Sequence, residues 1–158
     1  MPPVIILDSG PLSNSVVPLV KPRQTPSPSQ ICRLWLSDCE KAGATLIVPA
    51  IAYYETLREL ECRQATAKLA RLKAFSFLLP DRFVPLTTAH LEDAAGMWGS
   101  ARRHGRPTAS DDALDADVIL AAQALSLGLR FSDFIIATTN PGHLSQFVPC
   151  DMWSNIRP

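Results

Sequence analysis

The sequence predicts an α/β fold in which a mainly parallel sheet is flanked by helices. Two short, continuous apolar runs, VIIL at 4–7 and FIIATT at 134–139, have the pattern of strands buried on both faces, and such strands belong to parallel sheets covered by helices. Segments of helical period separate the strand-like runs, as in βαβ units. The length of 158 residues, 47% of them hydrophobic, suits one domain over 1–158 that hides roughly 70% of the surface of its unfolded chain.

The first run, at 4–7, ends at Asp8. Residues 18–30, PLVKPRQTPSPSQ, hold four of the fourteen prolines, which disfavours helix and central strand and predicts a loop. A helix is expected from Ser29, with Ile31, Leu34, Trp35 and Ala42 on its buried face, Asp38 and Lys41 outside, and Gly43 closing it. Residues 45–48 read as a second strand. Pro49 suits the first turn of the next helix, AIAYYETLRELECR. A further helix is expected at 64–79, closed by Pro80, and a short third strand at 83–86. Thr88 is the expected cap of a helix in which Leu91, Ala94, Ala95, Trp98 and Ala101 recur at helical spacing, ending near Gly105. A polar loop at 106–112 leads to a helix at 115–127, DADVILAAQALSL, with acid in its first turn and Gly128 just past its end. After the strand at 134–139, residues 147–153 are the candidate last strand.

Composition narrows the function. The 15 basic and 15 acidic residues cancel, which excludes a protein that wraps duplex nucleic acid through bulk charge; any nucleic-acid contact must be local. Cys32, Cys39, Cys62 and Cys150 show no CxxC spacing, so they read as reduced, mostly packed thiols rather than a zinc knuckle or a disulfide framework. No leader-like N-terminus and no apolar run of ~18–20 residues is present, and the expected location is cytoplasmic.

In open α/β sheets the functional crevice lies beyond the carboxyl ends of the strands. Asp8 follows VIIL directly and Asn140 follows FIIATT directly. Glu55 sits near the start of the helix after the second strand, and Asp117 in the expected first turn of the helix before FIIATT. Each residue alone has a plainer reading. Asp8 can be a helix cap or an Asx-turn. Glu55 shares its helix with Glu59 and Glu61, a solvated face, although the apolar flank AIAYYETL turns it inward. Asp115 and Asp117 are ordinary first-turn acids until another carboxylate stands beside them.

Taken in order, LDSGPL, VPAIAYYETLREL, LDADVILAAQAL and IIATTNPGHL resemble the PIN-domain nucleases, most closely the VapC-like toxins of toxin–antitoxin pairs. The resemblance runs from about residue 4 to 153, and its most specific part is Asp117 with VILAAQAL joined to ATTNPGHL. It implies a PIN-like α/β/α fold and a divalent-metal-dependent endoribonuclease. Asp8, Glu55 and Asp117 would hold Mg²⁺ or Mn²⁺, and Thr139 and Asn140 would help orient water or phosphate. It also implies an RNA substrate, a cognate antitoxin and a homodimer, with no membrane. The chemistry suits such a cluster, because hard ions prefer oxygen ligands and keep waters that can act as nucleophiles. Without a cation, clustered carboxylates raise one another's pKa.

The chain departs from the family where many relatives carry a fourth acid. Those places read Thr139 and His143 here, so one metal is expected. Asp115, two residues before Asp117, could partly compensate for the missing acid, although helix residues two apart face different ways. Ser9 resembles the small polar residue that helps fix the site, or is a turn residue. Arg102, Arg103, His104 and Arg106 are a solvated cluster or an RNA phosphate contact. His143 reads as structural, and Trp35, Trp98 and Trp153 as packing or an oligomer surface. Two other functions compete. A PIN-like RNA- or protein-binding module would keep the fold with weak catalysis. A haloacid-dehalogenase-like phosphohydrolase would use Asp8 as a nucleophile, but it wants a second Asp where Gly10 stands.

Overall fold

The computed structural model of the chain describes residues 3–106 and 110–158, and the backbone alone of 111–114. Strand β1 (Val4–Leu7) pairs in parallel with β2 (Thr45–Pro49) on one side and β4 (Phe134–Thr138) on the other. The edges are β3 (Phe83–Val84) beside β2 and β5 (Cys150–Met152) beside β4, both parallel. The order is therefore β3-β2-β1-β4-β5. The chain steps outward from β1 through β2 to β3, then crosses back to β4, so the switch point lies between β1 and β4.

Side chains alternate across a strand, and β1 divides its residues between two cores. Ile5 and Leu7 join Leu12, Leu36, Val48 and Leu72 on one face. Ile6 joins Ile47, Leu120, Ile136 and Leu144 on the other. Ile5, Ile6 and Leu7 are fully buried, each contributing roughly 1.5–3 kcal/mol. The first face is covered by α1 (Ser9–Asn14), α2 (Pro28–Lys41), α3 (Ala50–Cys62) and α4 (Thr66–Phe77). The second is covered by α6 (Asp111–Leu125), onto which α5 (Thr88–Arg103) packs through Ala94, Val118 and Ala122. The result is the expected three-layer α/β/α arrangement. No helix among the described residues is long and apolar enough to cross a membrane.

Several expectations are corrected. Helix α1, which carries Pro11 in its first turn, was not among the expected elements. Proline is tolerated in a first turn, where its missing N–H has no intrahelical partner to lose. The expected loop is shorter, because Ser27 and Gln30 form a reciprocal capping box with Pro28 inside it, and α2 starts there. The buried face of α2 is Cys32, Trp35, Leu36 and Cys39, while Ile31 and Ala42 are exposed. Two thiols, Cys32 and Cys39, thus take core positions where Ile31 and Ala42 were expected. All four cysteines are free, and Cys62 is exposed. Pro49 ends β2 and caps α3 rather than sitting inside it. The third strand is two residues long, the helix expected at 64–79 is shorter at both ends, and the last strand covers only the centre of 147–153. Thr87, not Thr88, caps α5, whose Leu91 and Ala95 are exposed. Helix α6 begins at Asp111, four residues before the expected start, so Asp115 and Asp117 stand beyond its first turn. Part of the loop expected at 106–112, residues 107–109, lies outside the described residues.

Candidate active site

Asp8 leaves the carboxyl end of β1 and caps α1. Its Oδ1 accepts from the backbone N–H of Ser9 at 2.7 Å, and its Oδ2 accepts from the hydroxyl of Thr138 at 2.7 Å. Register explains the second contact: Val4 pairs with Phe134 and Leu7 with Ala137, so Thr138 is level with Asp8 across the switch point. The Thr138 hydroxyl is fully buried and also accepts from the backbone N–H of Asn140 at 3.1 Å. Both carboxylate oxygens are thus oriented by fixed donors. The cap reading of Asp8 and its place in the crevice are compatible.

Glu55 and Asp117 are brought to the same end of the sheet by α3 and α6. Burial, then the charge of Asp8, pushes the Glu55 carboxyl up; Arg58, 4.0 Å away, opposes this, and Asp117 adds to it. Burial and then Asp8 push Asp117 up to about 6. The three acids therefore share one electrostatic neighbourhood, although among the described residues no three His, Cys, Asp or Glu side chains form a ready-made metal cage. A hard divalent ion that keeps part of its water shell needs only one or two direct carboxylates, and half-buried oxygen donors under mutual repulsion fit that requirement.

The remaining candidates lie at the rim. Thr139 and Asn140 are exposed just past β4. The Asn140 Oδ1 accepts from the N–H of Gly142 at 3.4 Å, a turn contact. Thr139 packs on α1: a Cβ added to Gly10 would lie 2.6 Å from its Cγ2 and 2.7 Å from its Oγ1. Glycine at position 10 is thus a steric requirement, and the second Asp that a dehalogenase-like enzyme needs there would collide with Thr139. Asp115 is turned away, lining a groove with Leu91 and Trp98. The Arg102 guanidinium lies 4.9 Å over the Trp98 ring, while Arg103, His104 and Arg106 are exposed. Trp35 donates to the Ile156 carbonyl at 2.8 Å and packs on Trp153, a structural role.

Two neighbours were not anticipated. Thr138 emerges only when strand register is known, because FIIATT offers two adjacent threonines and no sign of which meets Asp8. Cys150, on β5, has its thiol pushed up to about 11 by burial and then by the charges of Asp117, Asp151 and Asp8. It is therefore a neutral wall of the crevice.

No family model and no curated protein matches the chain. Its structure is similar to that of FitAcB from Neisseria gonorrhoeae, with a TM-score of 0.65 and 19% identity over 97% of this chain and 100% of that one. It is also similar to VapBC-1 from nontypeable Haemophilus influenzae, with a TM-score of 0.59 and 15% identity over 96% and 98%. The fold is PIN-like. In this PIN-like frame, Asp8 and Thr138 mark the sheet's switch point, and Glu55 and Asp117 reach it from opposite layers.

Proposed function

We propose that the protein is a divalent-metal-dependent endoribonuclease acting as the toxin of a toxin–antitoxin pair. The observation that carries this reading is the meeting of Asp8, Glu55 and Asp117 in one half-buried neighbourhood at the carboxyl end of β1, in a PIN-like fold. Asp8, Glu55 and Asp117 would hold Mg²⁺ or Mn²⁺. When bound, the ion supplies an acidified water and neutralises charge developing on the phosphodiester. The Ser9 N–H and the Thr138 hydroxyl hold the Asp8 carboxylate in one orientation, so that it meets its ligand without reorganising. Thr139 and Asn140, exposed at the rim, would contact water or phosphate. Likeness to FitAcB and VapBC-1 supports a cognate antitoxin as partner, and the family resemblance adds a homodimer and a cytoplasmic location.

The test is cleavage of a mixed, structured RNA pool with Mg²⁺ or Mn²⁺, against EDTA and against Asp8→Asn. Metal-dependent cleavage that disappears in the variant is the expected result. Manganese binding without cleavage of any RNA would replace the nuclease by a binding module, a reading motivated by Thr139 and His143 where a fourth acid is common in the family.

A further inference from the structure

A cleft of about 480 Å³ opens from the acidic site between α1 and the pair α3 and α4. That is the size range of a small-ligand site, but its walls are polar and charged. Ser9, Gly10 and Glu55 belong both to this cleft and to the surroundings of Asp8, and Arg58, Arg63 and Lys68 line it further on. Along α3, Glu55 and the cap residue Arg63 are separated by a rise of ~12 Å, longer than the contact made by one phosphate group. Its cations are available: the exposed Arg58 and Arg63 make only long pairs, at 4.0 Å to the half-buried Glu55 and 3.8 Å to the exposed Glu59, and Lys68 has no ion-pair partner among the described residues. An exposed pair such as Arg63–Glu59 holds weakly and exchanges readily for another anion.

We infer that this cleft seats the single-stranded RNA that continues from the scissile phosphate, with Arg63 and Lys68 on its backbone. The inference rests on the nuclease reading of the acidic site and deepens it. Three cations face two carboxylates in the cleft, and one of those, Glu55, is committed to the metal. The remaining balance favours a polyanion. Beside the cleft Tyr54 is exposed, with the Arg58 guanidinium 5.6 Å over its ring. An aromatic face next to a cationic track is how sequence-tolerant single-strand sites are built, and it distinguishes a nucleic acid from an acidic peptide. The chain's neutral net charge agrees with a local track rather than a broad basic surface.

The experiment is fluorescence anisotropy of a short, labelled, mixed-sequence single-stranded RNA with the full chain in EDTA, titrated across a salt series, for the parent and for Arg63→Gln with Lys68→Gln. Both positions are exposed, and circular dichroism checks the fold. The variant is expected to bind more weakly, with the slope of log affinity against log salt shallower by about 1.4, or ~0.7 per lost phosphate contact. Parent-like affinity and slope in the variant would remove RNA from the cleft while leaving the nuclease reading intact. Competition of RNA from the parent by poly-glutamate, at equal charge and with no loss in the variant, would also overturn the inference. Absence of RNA binding by the parent at every salt would overturn the inference, and the cleavage assay, run with Mg²⁺ or Mn²⁺, decides separately whether the nuclease reading stands.

Discussion

Asp117 carries a free-energy cost that its proposed role explains. Its carboxyl ionises at 3.8 in the ordinary state and is pushed up to about 6 by burial and by Asp8. The folded state therefore binds this proton more tightly than the unfolded state does. The resulting stability is fully present below the unfolded value and is lost as pH rises through about 6. At pH 7 the ionised group costs about 1–2 kcal/mol, after allowance for its partial exposure. Asp117→Asn is expected to recover that amount at pH 7 and to flatten the dependence of stability on pH between about 4 and 6.5, as read by urea denaturation. It should also weaken Mn²⁺ binding in calorimetry. A variant no more stable than the parent at pH 7 would show that burial and the charge of Asp8 do not penalise the carboxylate. Residue identity made Asp8, Glu55 and Asp117 legible as candidates, whereas their shared neighbourhood depends on which helix faces turn to the sheet end.

Between elements, the link that aligns Glu55 with Asp117 is a single buried amide. Helix α3 begins at Pro49 with no side-chain cap, and the orphan N–H of Ile51 is received at 3.0 Å by Oε1 of Gln123, from α6. The Gln123 Nε2 donates to the carbonyls of Val84 at 2.9 Å and Pro85 at 3.3 Å. One residue, 1% exposed, thus joins the helix of Glu55, the helix of Asp117 and the end of β3. Gln123→Leu should cost roughly 1–3 kcal/mol by leaving these backbone groups buried and unpaired. Thermal unfolding that matches the parent would show that water satisfies them instead. This contact was not legible in the sequence, where Gln123 is one polar residue in an apolar helix and its three partners are 38 to 72 residues away. What was legible is what short-range chemistry decides: the runs VIIL and FIIATT, the helices between them, and the acids at their ends. Helix phase was less so. In α2 the apolar positions Ile31 and Cys32 are adjacent, and tertiary packing chose the thiol. The start of α6 was hidden because Asp111, Asp112, Asp115 and Asp117 all suit a helix N-terminus.

At the scale of the whole molecule, the sheet order brings the end of β1 together with the N-terminal halves of α3 and α6, which lie in opposite layers, so a bound ion would bridge both layers. Asp8 follows a strand buried in both cores, Glu55 comes from the layer over Ile5 and Leu7, and Asp117 from the layer over Ile6. An ion held by residues from both layers binds the folded chain and not the unfolded one. Mass action then stabilises the fold by about 2.7 kcal/mol at a free concentration one hundred times the dissociation constant. For a chain of this length that corresponds to a rise in Tm of roughly 5–10 °C. The rise should grow with the logarithm of Mn²⁺ concentration above saturation and shrink below pH 6, where Asp117 takes up its proton and competes with the ion. Asp8→Asn should lose most of it, since the Ser9 N–H and Thr138 hydroxyl would then hold an amide in place of a carboxylate. The same rise in Asp8→Asn as in the parent would locate the ion away from the switch point, and with it the chemistry.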